Sequence, residues 1–179
     1  ERLVSNWNRV VDPGDTVVIM GDVSWGMSLS EAYKDFELLN SLPGKKIIMK
    51  GNHDYWWSTK TKMDVFLKNN SLDSISILFN NSYVVDDYAI CGTRGWFLEN
   101  ESQNDIKVLN REVGRLEMSI QSAIKTGKEP APWNRTSSPP PRTPHRKRQY
   151  GVRSWPTSRP PATTRLPSPN ASRMLSLLI

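Results

Sequence analysis

Apolar residues over the first 127 positions alternate between two rhythms. Leu3, Val4, Trp7, Val10 and Val11 recur at helical spacing and predict a helix at the start of the chain. Asp12-Pro13-Gly14-Asp15 reads as a turn. The β-branched run Thr16 to Met20 predicts a buried strand, ended by Gly21-Asp22. Ser28-Leu29-Ser30-Glu31 has the form of a capping box, and the helix after it would turn Ala32, Phe36, Leu38, Leu39 and Leu42 to the core. Pro43-Gly44 stops that helix. Lys45 to Lys50 predicts a second strand, ended by Gly51-Asn52-His53-Asp54, and Ser58 can cap a helix running to about Asn69. Ser74–Phe79, Tyr83–Val85 and Tyr88–Cys91 predict three further strands, with turns at Asn80-Asn81 and Asp86-Asp87. Ile106, Leu109, Val113, Leu116, Ile120 and Ile124 then mark one long amphipathic helix from Gln103 to Thr126, closed by Gly127. Strands alternating with helices point to an α/β fold with at least a partly parallel sheet.

Composition divides the chain. Of 24 Lys+Arg, 15 fall in residues 1–129 together with all 18 Asp+Glu, a net charge of −3; residues 130–179 carry the other nine and no acid. Eleven of the 13 prolines also lie in that second part. The expected organisation is therefore a globular segment, 1–129, and a Pro/Arg/Ser-rich tail, 130–179, that buries too little apolar surface to fold alone. The tail has three readings: a basic arm for nucleic acid or another polyanion, a solvated linker, or a translation in the wrong reading frame. The last is preferred, because an acid-free Pro/Arg/Ser/Thr run follows the globular segment so abruptly.

The mean hydropathy is −0.55. The longest apolar runs are too short to span a bilayer, so no membrane association is expected. No charged-then-apolar leader marks secretion, which leaves a cytoplasmic location as the expectation. A single cysteine, Cys91, excludes an internal disulfide and reads as a buried structural thiol at a strand end. With only His53 and His145 available, any metal site must rely on Asp, Glu and Asn oxygens.

Candidate chemistry sits just past two predicted strands, where ligands bind in open α/β sheets. Gly21 permits a sharp turn, after which Asp22 offers an anionic carboxylate. Gly51 does the same for Asn52, whose amide oxygen is a neutral hard ligand. His53 follows, with Asp54 placed to fix its tautomer. A carboxylate, a carbonyl oxygen and an imidazole suit divalent Mn, Fe or Zn. Alone, each motif is also what an ordinary turn looks like; together, after two apolar strands, they favour a site.

Gly21-Asp22-Val23-Ser24-Trp25 followed by Lys50-Gly51-Asn52-His53-Asp54-Tyr55-Trp56-Trp57 resembles the calcineurin-like metallophosphoesterase family, and Cys91-Gly92-Thr93-Arg94-Gly95-Trp96 resembles a bacterial branch of it. The likeness covers about residues 1–127. It implies an α/β/β/α sandwich, here truncated and followed by a disordered C-terminal tail. It also implies hydrolysis of a phosphate ester through two divalent metal ions (Mn, Fe or Zn). By that resemblance Asp22 matches the metal-bridging aspartate and Asn52 a ligand of the second metal. His53 matches the group that stabilises the transition state or protonates the leaving oxygen, and Asp54 its orienting partner. Arg94 and Trp56 are candidate substrate contacts, Arg94 as a phosphate clamp and Trp56 as an aromatic wall; a surface arginine and a core tryptophan are the competing readings. Trp57 is expected in the core.

The departures are as informative. The family's early Asp-x-His block, its lone later histidine and its Gly-His-x-His block are absent from these 179 residues. Only Asp22 and Asn52 remain of the implied ligands, so tight metal binding is not expected and the chain reads as an impaired fragment of a hydrolase. The alternative is a non-enzymatic nucleic-acid or polyanion-binding protein that acts through the basic tail.

Overall fold

The computed structural model describes residues 2–94, 103–134, 152–154 and 174–177. Two sheets stack face to face, with helices on both outer sides, so the α/β/β/α arrangement is present. The first sheet has the order β3-β2-β1-β8-β7. Its strands are β1 (Thr16–Ile19), β2 (Lys45–Ile48), β3 (Ile75–Ile77), β7 (Val152–Ser154) and β8 (Met174–Leu177). The second sheet has the order β4-β5-β6, formed by β4 (Tyr83–Val85), β5 (Tyr88–Thr93) and β6 (Glu129–Asn134). The first three strands are mutually parallel, with Val18 opposite Ile47 and Ile47 opposite Ser76.

β1 is apolar at every position past Thr16 because both of its faces are covered. Val17 and Ile19 turn to one side. There they meet Trp7 and Val11 at α1 (Arg2–Val10), Phe36 and Leu39 of α2 (Tyr33–Ser41), and Met63 and Leu67 of α3 (Lys60–Asn69). Val18 turns to the other side and packs with Ile47, Met49, Leu78, Val85 and Ile90 between the sheets. Outside the second sheet lies α4 (Gln103–Ile124), seated on Ala89 and Cys91 through Ala123. Buried Cys91 is the structural thiol expected, and burial pushes its pKa up. Among the described residues no helix is long and apolar enough to cross a membrane.

Several local expectations shift. The capping turn does form, with Ser28 Oγ accepting the Glu31 amide at 3.3 Å, but the Glu31 carboxylate takes the Met27 amide and the regular helix begins only at Tyr33. Leu38 faces solvent. Thr59, not Ser58, caps α3 by accepting the Lys62 amide.

The largest correction concerns α4. Ile106, Leu109, Val113 and Ile124 are exposed, and the buried positions are Glu112, Ser119 and Ala123. The reason is polar. Ser119 Oγ accepts the Gly92 amide at 2.9 Å and donates to the Asn81 carbonyl at 2.6 Å, while Glu112 accepts the Thr93 hydroxyl at 2.8 Å. Small and hydrogen-bonding side chains let the helix lie close over β5; of the apolar stripe only Leu116 and Ile120 are half-buried, with Ile120 packed on the Ala89 and Cys91 cluster.

The tail also differs from its expectation at three places. β6 carries the second sheet through residue 134, parallel to β5, with Pro130 and Pro132 tolerated because β6 is an edge strand. β8 pairs in parallel with β1, and β7 pairs antiparallel with β8. Without them β1 would be an open edge, with a row of unpaired amides and carbonyls. The other residues of 135–179, where the disordered or out-of-frame reading was placed, lie outside the described residues, as does His145.

Lys46 is fully buried on β2. Its Nζ donates to the Leu42 carbonyl at the end of α2 and to Ser74 Oγ at 3.2 Å. Burial pushes its pKa down from 10.5 to about 8. Between those values the unfolded chain keeps a proton that the folded chain has released, so stability rises with pH across that window. Urea midpoints are expected to climb from about pH 8 to about pH 10, and to climb less in Lys46→Met; equal slopes would contradict the assignment. On α4, Ser119→Leu should cost about 2–3 kcal/mol by overfilling the seam and orphaning two backbone groups. Leu109→Lys should stay within about 0.5 kcal/mol. Chemical denaturation of the two variants checks which face is buried.

Candidate functional site

The site forms where the loops after β1 and β2 meet. They touch backbone to backbone. A Cβ on Gly21 would stand 2.3 Å from the Gly51 Cα, and a Cβ on Gly51 would stand 2.2 Å from both the Asp22 amide nitrogen and its Oδ1. Gly21 has φ +94 and Asp22 φ 57, so the chain leaves β1 through two left-handed residues in succession. That turn swings the Asp22 carboxylate over the neighbouring loop.

Asp54 holds this geometry. Its carboxylate is buried and accepts from both loops. Oδ2 takes the Gly51 amide at 2.6 Å and the Asp22 amide at 2.9 Å; Oδ1 takes the Val23 amide at 2.9 Å and the Trp56 indole N–H at 3.0 Å, with the Ser24 amide at 3.5 Å. A charged acceptor with several backbone donors forms strong hydrogen bonds in a buried setting. Asp54 thus positions the site through the backbone. The ring nitrogen of His53 faces a different partner: Nδ1 lies 3.2 Å from the Tyr55 hydroxyl. The orienting part expected of Asp54 falls geometrically to Tyr55.

Asp22 and the Asn52-His53 link come together. Asp22 Oδ1 accepts the His53 amide at 2.9 Å, which sets the Asn52–His53 peptide directly against the carboxylate. Asn52 is exposed at the loop tip and His53 is half-buried. The imidazole is stacked under Trp25, with ring centroids 4.3 Å apart and planes 16° from parallel, and meets Tyr55 edge-on at 6.0 Å.

Trp56 is corrected as a substrate wall. It is 2% exposed, its N–H is given to Asp54, and its ring packs edge-on against Phe36 at 4.9 Å. Trp57 sits half-buried against Trp56 and Phe79, as a core-covering residue should. Trp96 lies outside the described residues. The aromatic beside the site is Trp25. Its only signal in the sequence was its place next to Gly21-Asp22-Val23-Ser24.

Positive charge gathers nearby. Burial pushes the Lys50 ammonium down, and the Arg94 and Arg115 guanidinium groups add to that, opposed by Asp54 and Glu112. Arg94 follows β5 at the carboxyl end of the second sheet. Arg115 is bound to Glu112 at 2.7 Å and lies over the Phe79 ring. Lys50, Glu112 and Arg115 were not singled out by the sequence, since charged positions on a strand end and a helix carry no pattern of their own. A separate cleft of about 300 Å³, lined in part by Gly14, Thr16, Lys45 and Asp86, opens at the amino ends of β1 and β2, away from these residues.

Among the described residues the donors at this site are too few for a dinuclear metal centre. Among the described residues no group of three or more His, Cys, Asp or Glu side chains comes together as a cation site. Asp22 already accepts a backbone amide, and the one described imidazole is engaged by Trp25 and Tyr55.

Two substitutions test the clamp. Gly51→Ala is expected to cost about 1–3 kcal/mol, because the new methyl meets Asp22 at far below contact distance. Asp54→Asn should cost about 3 kcal/mol or more, since an amide nitrogen would face donors in place of an oxygen. Thermal melts and urea titrations read both, and wild-type stability in either variant would refute the clamp.

Over 52 residues, 29% of this chain and 28% of the other, the sequence is 42% identical to the uncharacterized protein MJ1445 of Methanocaldococcus jannaschii, so the chain spans well under a third of that relative. No solved structure is significantly similar. The family model for calcineurin-like phosphoesterases matches residues 1–155, beyond the reach of the motifs and across β6 and β7. The chain belongs to the calcineurin-like phosphoesterase family.

Proposed function

We propose that this chain binds a phosphate ester at the paired strand ends and, as these 179 residues stand, hydrolyses it feebly. The observation that carries the reading is the Asp54 carboxylate. By gathering amides from both loops it brings the Asp22 carboxylate against the Asn52–His53 peptide. Asp22 and Asn52 are the oxygen donors toward a cation. His53 is the group that would hand a proton to the leaving oxygen, with its ring kept in place by Trp25 and Tyr55. Lys50 and Arg94 supply positive potential for an approaching phosphate, with Arg94 as its candidate contact; the support is the mutual repulsion of the two cations, which sets them near one another.

Impairment follows from the count of donors. A carboxylate and a carboxamide oxygen form a weak, open cation site without further imidazole or carboxylate groups. Mn, Fe and Zn remain the metals this chemistry suits, and binding by this chain is expected to be loose.

Titration with Mn²⁺ by calorimetry should give a dissociation constant of about a millimolar or weaker. Hydrolysis of an aryl phosphate in the same buffer should be slow, above the protein-free rate, and absent in Asp22→Ala. Tight, saturable Mn²⁺ binding with rapid turnover would overturn the impairment. A rate that Asp22→Ala leaves untouched would overturn the phosphoesterase reading.

A further inference from the structure

Trp25 is 68% exposed and Tyr55 50% exposed, whereas Trp56 of the same loop pair is sealed in the core and Trp57 is half-buried against it. Both rings touch His53, so two exposed aromatics border one imidazole, an apolar rim with a polar handle of the kind that binding surfaces use. Trp25 is not loose. The residue before it, Ser24, is buried, with its amide turned to Asp54 and its hydroxyl accepting the Gly26 amide at 3.1 Å. The residue after it, Gly26, is packed so tightly that a Cβ would stand 2.8 Å from the Ala32 amide nitrogen. The indole is therefore held out between two anchored neighbours. One of its faces lies on His53 at 4.3 Å, and the other is open to solvent.

We infer that the outer face of Trp25 is a stacking platform for a flat, conjugated ring carried by the phosphate ester, such as a nucleobase or an aryl group. The inference rests on the phosphate-ester reading for the phosphate end alone. The indole lies directly on the imidazole assigned to the leaving oxygen, so a ring carried by the leaving group can reach past the indole edge onto its outer face. Tyr55 borders the same rim through its contact with His53. Stacking tolerates any π-face, so the surface selects for a ring and not for one particular base.

The test is a set of NMR titrations on the full chain in metal-free buffer, with AMP, phenyl phosphate, ribose 5-phosphate and adenosine. AMP and phenyl phosphate are expected to bind roughly tenfold more tightly than ribose 5-phosphate. Trp25→Ala should erase that advantage, so that AMP, phenyl phosphate and ribose 5-phosphate bind alike, and Trp25→Phe should keep most of it. Because the side chain is exposed, both variants should melt as the native chain does, which circular dichroism verifies. Equal binding of AMP and ribose 5-phosphate, an advantage that survives Trp25→Ala, or no binding of any ring compound would overturn the platform. A failure of the phosphate-ester reading looks different: ribose 5-phosphate would not bind, while adenosine would still bind in a manner dependent on Trp25.

Discussion

A buried carboxylate that accepts amide protons from two separate loops is the constraint on which the rest of this site depends. Asp54 reaches the Gly51 amide in its own loop and the Asp22 and Val23 amides in the other. Those donors lie at the ends of parallel strands, where the backbone leaves the sheet and its N–H groups lose their strand partners. Left without an acceptor, each buried amide would cost about 1–3 kcal/mol, and the several bonds together offset the desolvation of the carboxylate. The two glycines are the steric counterpart of the same requirement, since only chain without a Cβ allows the loops to approach this closely.

From that clamp the other features follow in order. Fixing Val23 and Ser24 fixes the emergence of Trp25, and fixing Gly51 fixes His53 beneath it. The second sheet contributes from across the interior. Ile90 packs with Met49, which brings the end of β5 beside the end of β2 and gathers Arg94 near Lys50. α4 reinforces that edge with Glu112, which holds the Thr93 hydroxyl and the Arg115 guanidinium at once. The family's anion chemistry thus has a positive rim, while its metal chemistry has too few ligands among the described residues.

Much of this was legible in the residues. β1 and the second half of β2 are buried on both faces and read as apolar runs, and the Gly-Asp and Gly-Asn-His-Asp signatures stand past their ends, where the two loops meet. What escaped was tertiary. Asp54 stands next to His53 in the chain, which suggests a pair; yet it accepts from the Asp22, Val23 and Ser24 amides, 30 to 32 residues away, and backbone partners are invisible to any pattern of side chains. Trp25 and Trp56 look alike in sequence, and only burial separates a rim aromatic from a core one. α4 misled for a related reason. Its apolar stripe is real, but Ser119 and Glu112 find hydrogen-bond partners on β5 and at Asn81, and these decide which face turns inward. The pairing of Met174–Leu177 with β1 answers an open strand edge, a demand made by the partner and not by the tail's composition.

Amide hydrogen exchange at Asp22, Val23 and Gly51 reads the clamp most directly. These three protons should exchange as slowly as the strand amides of Val18 and Ile48, although they belong to loops. Exchange at the rate of the exposed Asp86-Asp87 turn would contradict the account, because Asp54 would then not be gathering the two loops into one site.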